Sequence, residues 1–337
     1  MASLKEIKGR ISSVRSTLKI TSAMKLVASA KLRKAQLAIG NMLPYERQLH
    51  RIFVDLMSTC AADASYGGRP EENGQVHSRF AAAEYRLTPS GLPERSIMEA
   101  RPVKKVAIVA YSSNSSLCGA FNSNVIKETL AVINEYRSAG LKKGDITVYS
   151  IGRKMQEAMK KAGYPSPADY TRMADSPSYE PASALARELM TGFTAGRFDK
   201  VELVYNHFKS TASQTVLRQT YLPMSSIDEP SVLNAVKRPE VDEEEMPAPR
   251  NPEDLIIEPS PYELLEELMP KVVRLRLYTA LLDSNAAEHA ARTVAMQTAT
   301  DNAEDLLDEL TLEYNKGRQQ KITSEILDIV GGSISMQ

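Results

Sequence analysis

Apolar residues at Leu4, Ile7, Ile11, Val14 and Leu18 recur at alternating gaps of three and four, the spacing of a helix packed along a narrow seam. Continuing that register places Thr21 and Lys25 in the seam, whereas the apolar residues that follow are Ile20, Met24 and Val27. The stripe is therefore expected to slip two positions around the helix within Ile20 to Gln36, ITSAMKLVASAKLRKAQ. One long helix is predicted over residues 1–60, with a bend expected near Pro44. Residues 61–102 break the pattern with Gly67, Gly68, Gly74, Pro70, Pro89, Pro93 and Pro102, and read as a surface insertion.

From Val103 the period changes. VKKVAIVAY, DITVYSIG, DKVELVYNHF and SQTVLRQTYLP read as strands; NSNVIKETLAVINEYRSAG, GRKMQEAMKKAG and PASALARELMTGFTAG read as helices, the first closed by Gly140. Strands alternating with helices predict a small Rossmann-like α/β domain over 103–227. Residues 228–260 follow as an acidic, proline-rich linker with a return strand, most polar over Lys237–Asp254. From 261 to 337 Pro270 is the one proline after Pro261, and helix formers dominate to Val330. That predicts a helix of about 60–70 residues, on the order of 90–100 Å long. Ala287, Ala291, Ala295, Ala299 and Ala303 form a small-residue ridge at four-residue spacing that admits a close helical neighbour. The expected fold class is α/β, with N- and C-terminal helices paired as a long antiparallel coiled coil.

Charge supports that pairing. The 337 residues carry no net charge, yet residues 3–58 hold eleven Lys and Arg against Glu6, Glu46 and Asp55, while residues 242–313 hold eighteen acids against five bases. An acidic partner within the same chain explains the basic helix without nucleic acid. Mean hydropathy of -0.31 and the lack of a long apolar run argue against a membrane span. MASLKEIKGR has no apolar core of a secretory signal, and two cysteines, Cys60 and Cys118, suggest a reducing compartment without disulfides.

Candidate chemistry is sparse. His50, His77, His207 and His289 lack metal-ligand spacing. SSNSSLCGAFNSN lies between a strand and a helix, as a phosphate-binding turn would, but lacks the glycines and lysine of such turns. Cys118 has no neighbouring His in sequence and reads as packing, and Asp242–Glu245 as a solvated acidic patch. No catalytic, cofactor or metal site is expected. A nucleotide-binding α/β enzyme and a coiled-coil adaptor remain the readings available from the pattern alone.

SLKEIKGRISSVRSTLKITSAMKLVASAKLRKAQ, IEPSPYELLEELMP, YTALLDSNAAEHAARTVAMQTATDNA and LTLEYNKGRQQKITSEILDIVGG, with VYNHFKSTASQ between them, resemble the gamma subunit of F-type ATP synthase. The family's SSDRGLCGGFN stands here as SSNSSLCGAFN, and its closing Gly-Ala as Gly332-Ser333. The resemblance implies a non-catalytic rotor shaft standing in the cavity of three alpha and three beta subunits. Its foot would rest against the epsilon subunit and the membrane c-ring, at the cytoplasmic face of a bacterial inner membrane. It implies coupling roles for Met24, Lys25, Arg292, Arg318, Gln319 and Thr323, with the patch at Met24 and Lys25 facing acidic loops of beta. Ile322, Ile326, Ile329 and Val330 form an apolar face without N-terminal cover, which suggests a tip turning in an apolar sleeve.

Overall fold

The computed structural model describes residues 3–66, 97–98, 100–224, 258 and 261–334. Most of the expected insertion and the linker with its return strand lie outside the described residues. Helix α1 spans Leu4–Tyr66 and continues through Pro44, so residues 61–66 extend the helix past its expected end. Helix α6 spans Pro261–Ile334, 74 residues, or about 110 Å. Between them lie β1 (Val106–Tyr111), α2 (Phe121–Ser138), β2 (Ile146–Ile151), α3 (Arg153–Ala162), α4 (Thr171–Asp175), α5 (Tyr179–Thr194), β3 (Lys200–Phe208) and β4 (Gln214–Leu222). All four expected strands form; the five-residue α4 has no counterpart in the pattern-based reading.

The sheet order is β2-β1-β3-β4, with β1 parallel to β2 and β3, and β4 antiparallel to β3. β1 is buried along its whole length, as a central strand covered on both faces must be. Val106, Ile108 and Ala110 pack under α2 and α3 with Val125, Val132, Met155 and Met159. Ala107, Val109 and Tyr111 face the other layer, where α5 contributes Leu185 and Leu189, and α6 contributes Val273, Leu277, Ala280 and Leu281. The long C-terminal helix is thus a layer of the sheet domain before it becomes a rod. Every residue from Leu281 to Ala290 is buried, and only beyond Ala291 does burial fall back to one face.

Two buried polar clusters fix this arrangement. Asp283 on α6 accepts from the Phe208 N–H at 3.0 Å and lies 2.7 Å from His207 Nδ1, holding the end of β3 on α6. On the opposite face Glu202 receives Tyr136 Oη (2.6 Å), Arg218 Nε (2.8 Å) and Lys200 Nζ (2.7 Å).

The two terminal helices pair antiparallel in one register. Leu4 meets Gly317, Thr21 meets Thr300, Lys25 meets Gln297, Leu32 and Ala35 cluster with Ala286 and Ala290, and Phe53 and Leu56 with Leu265. One number falls as the other rises, so no stagger accumulates along the pair. The expected slip of the seam does not occur. Thr21 and Lys25 occupy the seam half-buried, and Ala28, Leu32 and Ala35 continue it, whereas Ile20 and Val27 stand 60% and 58% exposed. The physical reason is that Thr21 and Lys25 find polar partners across the seam: Thr300 Oγ1 donates to Thr21 Oγ1 at 3.1 Å, and Lys25 Nζ donates to Gln297 Oε1 at 2.6 Å. A satisfied polar layer lets the heptad continue without apolar side chains. The start of the alanine ridge does not face α1. Ala287 and Ala291 pack against Cys118 and Phe121 of the sheet domain, and α1 is met instead by Ala286 and Ala290, which lie outside the ridge.

Candidate functional site on the shaft

At the level where α6 leaves the sheet domain, a cleft of about 330 Å³ opens between α1, the β1–α2 loop, α4 and α6. Met24, Val27 and Lys31 of α1 line one wall, Ser115 and Asp175 the floor, and Glu288, His289 and Arg292 of α6 the other. Helical geometry makes this grouping: positions 24, 27 and 31, and positions 288 and 292, each recur on one face. Met24 is half-buried at the rim.

Arg292 is 9% exposed and tied by its guanidinium to two groups of the same chain. Its Nη1 donates to the Ser116 carbonyl at 2.6 Å, and its Nη2 to Glu288 Oε1 at 2.7 Å. Burial pushes the Glu288 carboxyl up, against the pull of Arg292. Burial, followed by the cations Lys31 and Arg292, pushes the His289 imidazole down to about 4. His289 is therefore neutral at physiological pH.

The β1–α2 loop uses its polar groups internally. The Ser113 N–H and Oγ both reach Asn122 Oδ1, at 3.0 and 3.1 Å, and Asn122 Nδ2 lies 3.2 Å from Cys118 Sγ. Asn114 Nδ2 donates to the Thr171 carbonyl (2.8 Å), while its Oδ1 accepts from the Arg153 N–H (2.8 Å). An aspartate there could accept but not donate, so the amide suits this sequence. The turn into α3 passes so close that a Cβ on Gly152, at φ +94, would lie 2.2 Å from the Ser112 carbonyl oxygen. Cys118 is 1% exposed and packs on Ala287.

The residues singled out from sequence fall into two groups. Met24 and Arg292 line the cleft at this level, the collar of the shaft, while Lys25 lies beside it in the helix seam, bonded to Gln297. Arg318, Gln319, Thr323, Ile326 and Ile329 lie on α6, the first about 40 Å beyond Arg292 at 1.5 Å per residue. All five are exposed, and the Thr323 hydroxyl donates back to the Gln319 carbonyl at 2.9 Å. Because α1 begins opposite Gly317, α6 continues past it without a described helical partner, with Ile322, Ile326, Leu327 and Ile329 48–72% exposed. Sequence reasoning missed Lys31, Asp175, Glu288 and His289; the Glu288–Arg292 spacing of four was the available signal. Among the described residues, no group of three His, Cys, Asp or Glu is placed to hold a metal ion, and no helix is long and apolar enough to cross a membrane.

This architecture has relatives along its whole length. The family described as ATP synthase matches residues 3–336. The ATP synthase gamma chain of Phocaeicola vulgatus is 48% identical over 335 residues, covering 99% of this chain and 100% of the relative, and that of Bacteroides fragilis is 50% identical over the same span. The chain belongs to the ATP synthase gamma family. The fold agrees with a chain in the Euglena gracilis mitochondrial ATP synthase OSCP/F1/c-ring assembly, at a TM-score of 0.56 and 18% identity over 99% of this chain and 94% of that one. A second chain, from the rotor of that synthase in rotational state 1, gives a TM-score of 0.53 at 17% identity.

Proposed function

We propose that the chain is the central shaft of an F-type ATP synthase, turning inside a ring of alpha and beta subunits and carrying no catalytic site of its own. The observation that carries this reading is the free end of α6. A helix that continues past its partner with Ile322, Ile326, Leu327 and Ile329 in water invites cover from another chain. The cover that suits a turning rod is an apolar sleeve, because apolar contacts are non-directional and change little with angle. The sheet domain forms the foot, against the epsilon subunit and the c-ring, and the assembly is peripheral to the membrane at its cytoplasmic face. ATP chemistry belongs to beta. The collar at Met24 and Lys25 faces an acidic loop of beta, and the exposed apolar strip at Ile20 and Val27 supports a partner on that side of α1.

Two measurements test the reading. Tagged full-length chain should co-purify with alpha, beta and epsilon subunits; self-association alone, or nucleotide bound by the isolated chain, would favour an adaptor or an enzyme. Met24→Lys should assemble but pump fewer ions per ATP in membrane vesicles, since a partly desolvated ion pair formed at the collar must break at every step. Met24→Leu should match wild type. Unchanged pumping in Met24→Lys would remove Met24 from the coupling surface.

A further inference from the structure

At the collar, α6 passes from complete burial at Leu281–Ala290 to one-sided packing on α1. Here the rod joins the sheet domain, with Phe208 of β3 also packed on the cluster of Leu32, Ala35, Ala286 and Ala290. Three polar ties run from it to three separate segments. Asp283 holds the end of β3 through His207 and the Phe208 N–H; Asn285 Nδ2 donates to the Ala174 carbonyl of α4 at 3.1 Å; Arg292 Nη1 donates to the Ser116 carbonyl of the β1–α2 loop at 2.6 Å. At roughly 100° per residue, Asn285 and Arg292 point to the side of α6 opposite Asp283. The helix is held from both sides, and Arg292 is the last tie before the rod.

The loop that Arg292 grips is strained. Leu117 sits at φ +68, the one non-glycine positive φ among the described residues, and its side chain is 58% exposed. A left-handed leucine persists only where its surroundings over-determine it. Here they do: Arg292 holds Ser116 from one side, and Cys118 and Phe121 lie on Ala287 and Ala291 from the other. The strain thus accompanies a loop pressed onto the shaft.

We propose that Arg292 is a positioning residue that braces the β1–α2 loop to α6, so that the rod and the sheet domain turn as one body. Its role is exerted through Ser116, inside the chain, and not through direct contact with a partner. The brace has a use only if the chain is a turning shaft.

The structure supplies its own replacement for the brace. A Cβ on Gly119 would lie 3.9 Å from Ala295 Cβ, within the separation of about 3.5–4.5 Å that a disulfide needs. Gly119 has φ +58, a conformation that Leu117 two residues earlier already adopts with a side chain. Gly119→Cys with Ala295→Cys, in a Cys60→Ala, Cys118→Ser background, should therefore crosslink the loop to the shaft on oxidation.

Amide hydrogen exchange on the isolated full chain reads the tie by itself. Arg292→Ala should speed exchange of the Ser113 and Phe121 amides, which are hydrogen-bonded to Asn122 Oδ1 and to the Cys118 carbonyl at the two ends of the loop, by roughly ten- to hundredfold, as expected for loss of a charge-assisted hydrogen bond. In the assembled complex in membrane vesicles, Arg292→Ala should lower the ions pumped per ATP hydrolysed. The oxidised 119–295 disulfide should restore that ratio, and reduction should remove the rescue. Unchanged exchange or an unchanged pumping ratio in Arg292→Ala would overturn the brace. A lowered ratio that the disulfide fails to rescue would assign Arg292 to direct partner contact. If Arg292→Ala does not assemble, the disulfide beside intact Arg292 decides: equal pumping when oxidised and reduced supports one rigid body, and a block on oxidation refutes it. Failure of the wild-type chain to assemble would refute the shaft reading and leave the exchange result standing.

Discussion

Replacing Asp283 by alanine removes the carboxylate that joins α6 to the end of β3. In the native chain this side chain is 3% exposed, lies 2.7 Å from His207 Nδ1, and accepts from the Phe208 N–H at 3.0 Å. Burial raises the Asp283 pKa, and the His207 contact and the Phe208 N–H work against that rise. Truncation leaves His207, itself 1% exposed, and the Phe208 amide without this acceptor. Breaking one side of a buried pair costs about 3–5 kcal/mol, and an unsatisfied buried donor about 1–3 kcal/mol, part of which is the same loss. A total near 4 kcal/mol is a large share of the roughly 5–15 kcal/mol by which a folded domain is stable. Asp283→Asn should cost about 1–2 kcal/mol, since its Oδ1 still accepts from Phe208. Urea unfolding of the isolated full chain, followed by tyrosine fluorescence for the sheet domain and circular dichroism for the helices, measures both. The expected order is wild type, then Asn, then Ala, with the tyrosine signal shifted most. A loss below about 1 kcal/mol in Asp283→Ala would refute the claim that this pair anchors the rod in the sheet domain.

Acid sensitivity should centre on Glu202: burial alone would raise its pKa, but hydrogen bonds from Arg218, Lys200 and Tyr136 bring it below the ordinary value. The stability it contributes is present above about pH 4.3 and is lost as pH falls through the lower folded-state pKa; Glu202→Gln should flatten that part of a stability–pH curve, and an unchanged curve would count against the network. Ala290→Leu inserts bulk where α6 meets Leu32 and Ala35, and should cost about 1–3 kcal/mol by overpacking, read as a lower melting temperature. Ile326→Asp, on the free end of α6, should leave the isolated chain as stable as wild type, because the side chain is 55% exposed, yet impair assembly or rotation if a sleeve covers it. Normal assembly and rotation in that variant would show that the tip stays in water.

Local pattern determined much of this molecule. Four strands, the longer helices, and the antiparallel pairing of oppositely charged ends follow from period-two and period-three-to-four spacing, because side-chain direction is set by the backbone alone. The exposed apolar positions near the end of α6 were equally legible: Ile322, Ile326 and Ile329 recur at helical spacing beyond Gly317, the residue that Leu4 of α1 meets.

Three features depended on tertiary contact. The seam runs unbroken through Thr21 and Lys25 because Thr300 and Gln297 stand opposite, and a hydropathy pattern cannot see a partner some 270 residues away. The alanine ridge opens against the β1–α2 loop, with Ala287 and Ala291 on Cys118 and Phe121, while α1 takes the neighbouring Ala286 and Ala290. Arg292, which sequence resemblance marks as a contact residue, is buried and satisfied by Ser116 and Glu288. Sequence determines which faces of a helix are apolar; which neighbour satisfies each face, and whether a charge ends in water or in a hydrogen bond, is decided only when distant segments compete for the same surface.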